Sequence, residues 1–156
     1  MKIEIKQQDL MTADSKYVIC HCISADCAMG AGVVVPIKAK YKGIKERCRV
    51  YIGEVGVDNA VGKAYRDESE NGVVYNLFSK RYVHQNAERG LTAAEYHNQL
   101  KQCLISMREQ MNERGERFLA MPKIACGLDK CQWSDIEQII TEVFENTDIE
   151  ILVCVL

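Results

Sequence analysis

Six apolar segments with strand-like patterning are spread along this chain, and amphipathic helices fill the longer gaps between them. Strands are expected at 2–6, 17–24, 63–66, 73–78, 117–121 and 149–155, where β-branched and aromatic residues cluster or alternate with polar ones. The run Asp-Glu-Ser-Glu-Asn-Gly at 67–72 is a turn signal that joins two of them as a hairpin. Thr92-Ala93-Ala94-Glu95 reads as a capping box, in which threonine and glutamate satisfy each other's free backbone amides. Behind it Tyr96, Leu100, Cys103, Leu104, Met107 and Met111 form one apolar stripe, and Gly115 is the expected stop. Ser134-Asp135-Ile136-Glu137 has the same capping pattern ahead of the stripe Ile136, Ile139, Ile140, Val143 and Phe144. A less regular helix is expected over 32–40, with another turn or two near 44–50. Strands alternating with helices imply a layered α/β domain.

The 156 residues suit one domain, and a chain of this size buries roughly 70% of its unfolded surface without staples. No apolar run approaches the ~20 residues that span a bilayer. The first residues alternate like a strand and lack the apolar block of a signal peptide, so an intracellular protein is expected. The eight cysteines include no C-x-x-C pair. Cys20 and Cys22 lie two apart in an expected strand, on the face opposite His21, which cannot gather all three around one metal. Reduced, mostly buried thiols are expected, with neither metal nor disulfide. A formal charge of −2 gives no general attraction to nucleic acid. Lys38, Lys40, Lys42, Lys45, Arg47 and Arg49 form a local basic run, either a solvated helix face or a phosphate-binding patch.

Three segments that follow expected strands could carry chemistry. In Ser24-Ala25-Asp26-Cys27-Ala28-Met29-Gly30-Ala31-Gly32, small residues before a helix let backbone amides approach an anion; the plainer reading is a tight turn. Past 73–78, strand alternation puts Lys80 on the side of Val74, Asn76 and Phe78. Lys80 is either a solvated charge or a desolvated amine able to attack a sugar carbon. In Met121-Pro122-Lys123-Ile124-Ala125-Cys126-Gly127-Leu128-Asp129 the small residues again admit a ligand, and Asp129 is a general acid–base or a turn residue. If their strands run parallel, these loops meet at one end of the sheet.

These residues resemble the macrodomain family, and within it the terminal ADP-ribose protein glycohydrolase branch. His21-Cys22-Ile23-Ser24 with Asp26-Cys27 and Met29-Gly30-Ala31-Gly32 is similar to that branch's first ligand loop. Pro122 to Asp129 with Gln132-Trp133 is similar to its second. Asp9-Leu10, Val143-Phe144-Glu145 and Thr147-Asp148-Ile149 extend the likeness over nearly the whole chain, most weakly over 50–71.

The resemblance implies a three-layer α/β/α sandwich around a six-stranded mixed sheet, with ADP-ribose across the strand ends. Asp9 and Leu10 would meet adenine; Gly30, Ala31, Gly32 and Val33 would hold the distal ribose; Ile124, Ala125, Cys126, Gly127 and Leu128 would wrap the phosphates; His21, Ser24 and Met29 would also contact ADP-ribose. Lys80 matches the lysine that attacks the terminal ribose, and Asp129 the aspartate that assists proton transfer. The expected activity is hydrolysis of ADP-ribose from acidic side chains of proteins by a monomer without cofactor or metal. Alternatives are ADP-ribosylated nucleic acid as substrate, a non-catalytic ADP-ribose reader, and phosphatase action. Three features depart from the family pattern: Gln8 replaces the usual glycine, Cys154 replaces an adenine-side aromatic, and the rim 81–90 is long.

Overall fold

Strand alternation sorts the side chains into two layers. In a computed structural model covering Met1 to Leu156, Val18 and Cys20 of β2 (Val18–Ser24) face one core, while Ile19 and Ile23 face the other. The first core packs under α4 (Ala93–Arg114) and α5 (Trp133–Phe144). The second packs under α1 (Val34–Lys40), α2 (Ile44–Val55) and α3 (Val57–Ala60). The sheet between them adds β1 (Lys2–Gln7), β3 (Ala64–Ser69), β4 (Gly72–Lys80), β5 (Phe118–Met121) and β6 (Glu150–Val155). Its order is β1-β6-β5-β2-β4-β3, with every neighbouring pair parallel except β3–β4. This is the expected three-layer sandwich on a six-stranded mixed sheet.

Helix α4 follows its sequence signals closely. Thr92 Oγ1 accepts from the Glu95 amide at 3.1 Å, and the Thr92 amide donates to Glu95 Oε1 at 3.0 Å. Gly115 adopts a left-handed φ of 67°, and the Glu116 amide closes the end on Met111 O. All six stripe residues are buried, so cutting Leu104 back to alanine would cost about 2–5 kcal/mol.

Other boundaries moved. Ser134 does not cap α5: Gln132 is the extended N-cap residue, no side chain bonds there, and the Asp135 and Ile136 amides already turn back to Gln132 O. Helix α2 runs to Val55 because Tyr51, Ile52 and Val55 continue the stripe of Ile44 and Cys48 into the second core. The basic run divides into separate roles. Arg47 binds buried Asp67 through Nε at 2.6 Å and Nη2 at 2.9 Å, tying α2 to β3. Lys40 donates to Met11 O at 2.9 Å, and Arg49 faces Glu46 at 3.6 Å.

Candidate active site

Strand β2 lies between β5 and β4, and all three run parallel, so the loops that follow them open at the same end of the sheet. They enclose a cleft of about 370 Å³. Its wall includes Ser24 from the end of β2, Met29, Gly30, Ala31, Gly32 and Val33 from the loop that follows, and Lys80 and Val83 from the end of β4 and the rim. Ile124, Ala125, Gly127, Leu128 and Asp129 come from the loop after β5. Twelve of the sixteen expected site residues are therefore brought together.

The two ligand loops hold backbone conformations that side chains resist. Cys27, Met29, Ala125 and Lys130 are the non-glycine residues with positive φ, at 55°, 47°, 65° and 66°, and all four lie in these loops. The amides of Met29, Gly30, Ala31, Gly32 and Val33 have no acceptor within the protein, nor do those of Ala125, Gly127 and Leu128. Unpaired amides from two facing loops make a cradle for an anion without needing a cation. The loops nearly touch: a Cβ on Gly32 would lie 3.8 Å from Leu128 Cδ1.

Asp26 locks the first loop to the rim. Its Oδ1 accepts from Ser24 Oγ at 2.5 Å and the Ala28 amide at 3.1 Å, and its Oδ2 from the Val83 amide at 2.8 Å. Burial opposes its charge, but these donors and the nearby Lys80 cation hold the carboxyl below its ordinary range. The Ala87 amide donates to Asp129 O at 2.9 Å, so the rim is tied to the second loop as well.

At the base of the cleft Lys80 Nζ donates to Asp129 Oδ1 at 2.6 Å, Gln85 O at 2.8 Å and Val83 O at 3.0 Å. Three protons meet three acceptors, the arrangement of an ammonium. Tyr96 Oη donates to Asp129 Oδ2, and Ser79 Oγ lies 2.8 Å from Tyr96 Oη.

Alternation misplaced Lys80. Strand β4 continues through it, and the pairing with β2 steps from Ile23↔Phe78 to Ser24↔Lys80. That bulge carries one extra residue, Ser79, and takes Lys80 off the side of Val74, Asn76 and Phe78. Its amine thereby reaches the carboxylate that Tyr96 of α4 also holds.

Four expected residues do not form the cleft wall. Asp9 accepts from the Met11 amide and caps the short 3-10 turn Leu10–Thr12, and Leu10 is buried in the second core. Both follow β1, two strands over from β5. The Cys126 thiol is half-buried in the second loop but off the wall. His21 is wholly buried, with Nε2 2.7 Å from Asn76 Oδ1. Asn76 Nδ2 donates to Tyr65 O and Val74 O, so Oδ1 accepts and the His21 proton sits on Nε2. Burial, opposed by the Asn76 bond, lowers the His21 pKa to about 4; this is a neutral, structural histidine.

Tyr96 carries a functional contact that its place at the head of a core stripe does not reveal. Its only signal was chemical: a buried tyrosine needs a partner for its hydroxyl. Cys22 also lies on the wall, beside Ser79, where strand alternation marks only a thiol opposite His21.

No family model matches the chain. The chain is 35% identical over 154 residues to the ADP-ribose glycohydrolase OARD1 of Bos taurus, across 97% of this chain and 90% of that one. The Homo sapiens protein of the same name is 34% identical over 154 residues, with the same coverage of 97% and 90%. Among solved structures, the macrodomain of Mycobacterium tuberculosis DarG superimposes with a TM-score of 0.79 at 20% identity, over 97% of this chain and 96% of that one.

Proposed function

This chain belongs to the family of the ADP-ribose glycohydrolase OARD1, and on that premise we propose that it hydrolyses the bond between a terminal ADP-ribose and the acidic side chain that carries it. The observation that carries this reading is the buried Lys80–Asp129 pair at the base of a cleft lined by unpaired amides. A protein that only bound ADP-ribose would need the amides and not the pair.

The pyrophosphate lies on the amides of the loops 29–33 and 124–128. Bound there, the ligand directs its distal ribose towards Lys80. Asp129 takes a proton from the ammonium, and the freed amine attacks C1″. The C–N bond forms as the bond from C1″ to the target's oxygen breaks, and the target leaves as a carboxylate. The glycosyl-lysine opens to an imine, with the ring oxygen taking up a proton. Water then adds to the imine carbon, and Asp129 passes its proton to the departing nitrogen. ADP-ribose leaves and the lysine is restored. Two carbonyls, Val83 O and Gln85 O, hold the amine near the carboxylate between turnovers.

The protein acts inside the cell as a monomer in this reading. Nucleic acid as the target is less well supported, because three of the six cations in the basic run are engaged within the protein and none lines the cleft. The test is to incubate the protein with glutamate-ADP-ribosylated protein and, separately, with ADP-ribosylated single-stranded DNA. Release of free ADP-ribose from the protein substrate is expected. Release from the DNA alone would replace the acidic-ester assignment, and release from neither would end the hydrolase reading.

A further inference from the structure

We infer that Tyr96 is a positioning residue for Asp129, with Ser79 setting the direction of its hydroxyl; this rests on the hydrolase reading above. Tyr96 heads the buried stripe of α4 and has no exposed surface. Packing alone would be served by phenylalanine. A buried hydroxyl is unfavourable unless its hydrogen bonds are met, and here they are met twice.

The direction of each bond follows from the chemistry. An ionised Asp129 can only accept, so Tyr96 Oη donates to Oδ2. The phenol oxygen is then left to accept, and Ser79 Oγ, 2.8 Å away, donates to it. Ordinary alternation already sets Ser79 on the face of Tyr75 and Leu77, towards α4, and the bulge in β4 brings Lys80 round to that side as well. Alternation thus places the donor behind Tyr96, the bulge places the amine, and the two meet at one carboxylate. Lys80 occupies Oδ1 and Tyr96 occupies Oδ2, which fixes the plane of the carboxylate between them.

Four titratable groups surround this carboxylate: Lys80 from β4, Tyr96 from α4, Cys22 from β2 and Cys131 on its own loop, the two thiols kept neutral by burial and by the carboxylate itself. Among them Tyr96 is the neutral donor. Burial, with Cys22 and Asp129 nearby, pushes its phenol well above the ordinary range, so it stays protonated at any working pH. Its hydrogen bond favours the charged form of Asp129, the form that takes the proton from Lys80.

The experiment compares wild type, Tyr96→Phe, and protein carrying 3-fluorotyrosine at position 96. The fluorinated phenol is a stronger donor of nearly the same shape. For Tyr96→Phe, kcat should fall about tenfold with KM nearly unchanged, as for loss of one bond to a charged group. The acid limb of its rate profile should move to higher pH. The fluorinated protein should move that limb to lower pH. If Tyr96→Phe does not fold, the fluorinated protein carries the test alone. A lower kcat with an unmoved acid limb in both proteins would make Tyr96 merely structural and overturn the inference. A second readout needs no turnover: the pH at which the 13C carboxyl resonance of Asp129 moves, which should be higher in Tyr96→Phe and lower with fluorotyrosine. Wild type that released no ADP-ribose would sink the hydrolase reading, while this resonance would still decide the role of Tyr96.

Discussion

Lys80 Nζ lies 2.6 Å from Asp129 Oδ1, and the two side chains are only 8% and 10% exposed. A buried pair of this kind adds little net stability, since desolvating both charges offsets their attraction. A fold that needed only packing here would be served by apolar residues. The pair instead sits where three loops meet, the position that the proposed hydrolysis requires.

The first expectation concerns that pair. Lys80→Ala should abolish release of ADP-ribose while leaving its binding largely intact, because the amides of the two loops hold the ligand. Lys80→Arg should be equally inactive, since a guanidinium stays protonated and forms no imine. In Asp129→Ala the amine persists, so intact-protein mass spectrometry after exposure to substrate should show a lysine–ADP-ribose adduct that is missing from the double variant. Wild-type turnover by Lys80→Ala would exclude the covalent route.

The second concerns the cradle. A Cβ at Gly127 would meet nothing within 4 Å, and its φ is not in the left-handed region, so a side chain there fits the unliganded protein. The space it would enter is where the proposed function puts a phosphate. Gly127→Val should therefore keep the wild-type melting temperature yet weaken ADP-ribose binding at least tenfold, or about 1.4 kcal/mol. Calorimetry giving equal affinities would remove this loop from the cradle.

What was legible in the sequence was mostly local. The Thr92–Glu95 box could be read because both partners lie within one turn of one helix. The similar pattern at Ser134 failed because Gln132 begins the helix two residues earlier, placing Ser134 inside it. The ligand loops were visible as glycines and small residues after strands. The side to which Lys80 turns was not, because a bulge belongs to the pairing of two strands and alternation along one strand cannot register it. Tyr96 was hidden for a related reason. Its spacing marks core, and only the folded chain brings Ser79 and Asp129 to its hydroxyl.

The third expectation concerns Asp26, whose carboxylate joins the first loop to the rim. Asp26→Ala should speed hydrogen exchange at the Val83 amide and raise KM about tenfold, in line with the loss of hydrogen bonds to a charged group. Because the carboxyl is held below its ordinary range, its contribution is present above the unfolded value of 3.8 and is lost only as pH falls through the lower folded value. The rim of the wild type should thus stay protected through mildly acid conditions. Val83 exchange unaffected by the substitution would show that the rim is held by Lys80 and Gln85 instead.

The last concerns His21, which the folded protein keeps neutral. Its pKa falls from 6.5 to about 4 because burial penalises the imidazolium, against the favourable Asn76 bond. The unfolded chain therefore takes up this proton before the folded one does. Stability is full above pH 6.5 and falls as pH drops from there to about 4. Across that interval, at about 1.4 kcal/mol per pH unit, the loss from this group is about 3 kcal/mol. His21→Gln keeps a donor for Asn76 Oδ1 and removes the titration. Urea unfolding measured from pH 7.5 to 4.5 should then show a shallower loss of stability for the variant than for wild type, whatever its offset at neutral pH. Parallel curves would mean that His21 is protonated alike in both states, and that the acid sensitivity of the protein arises from other groups.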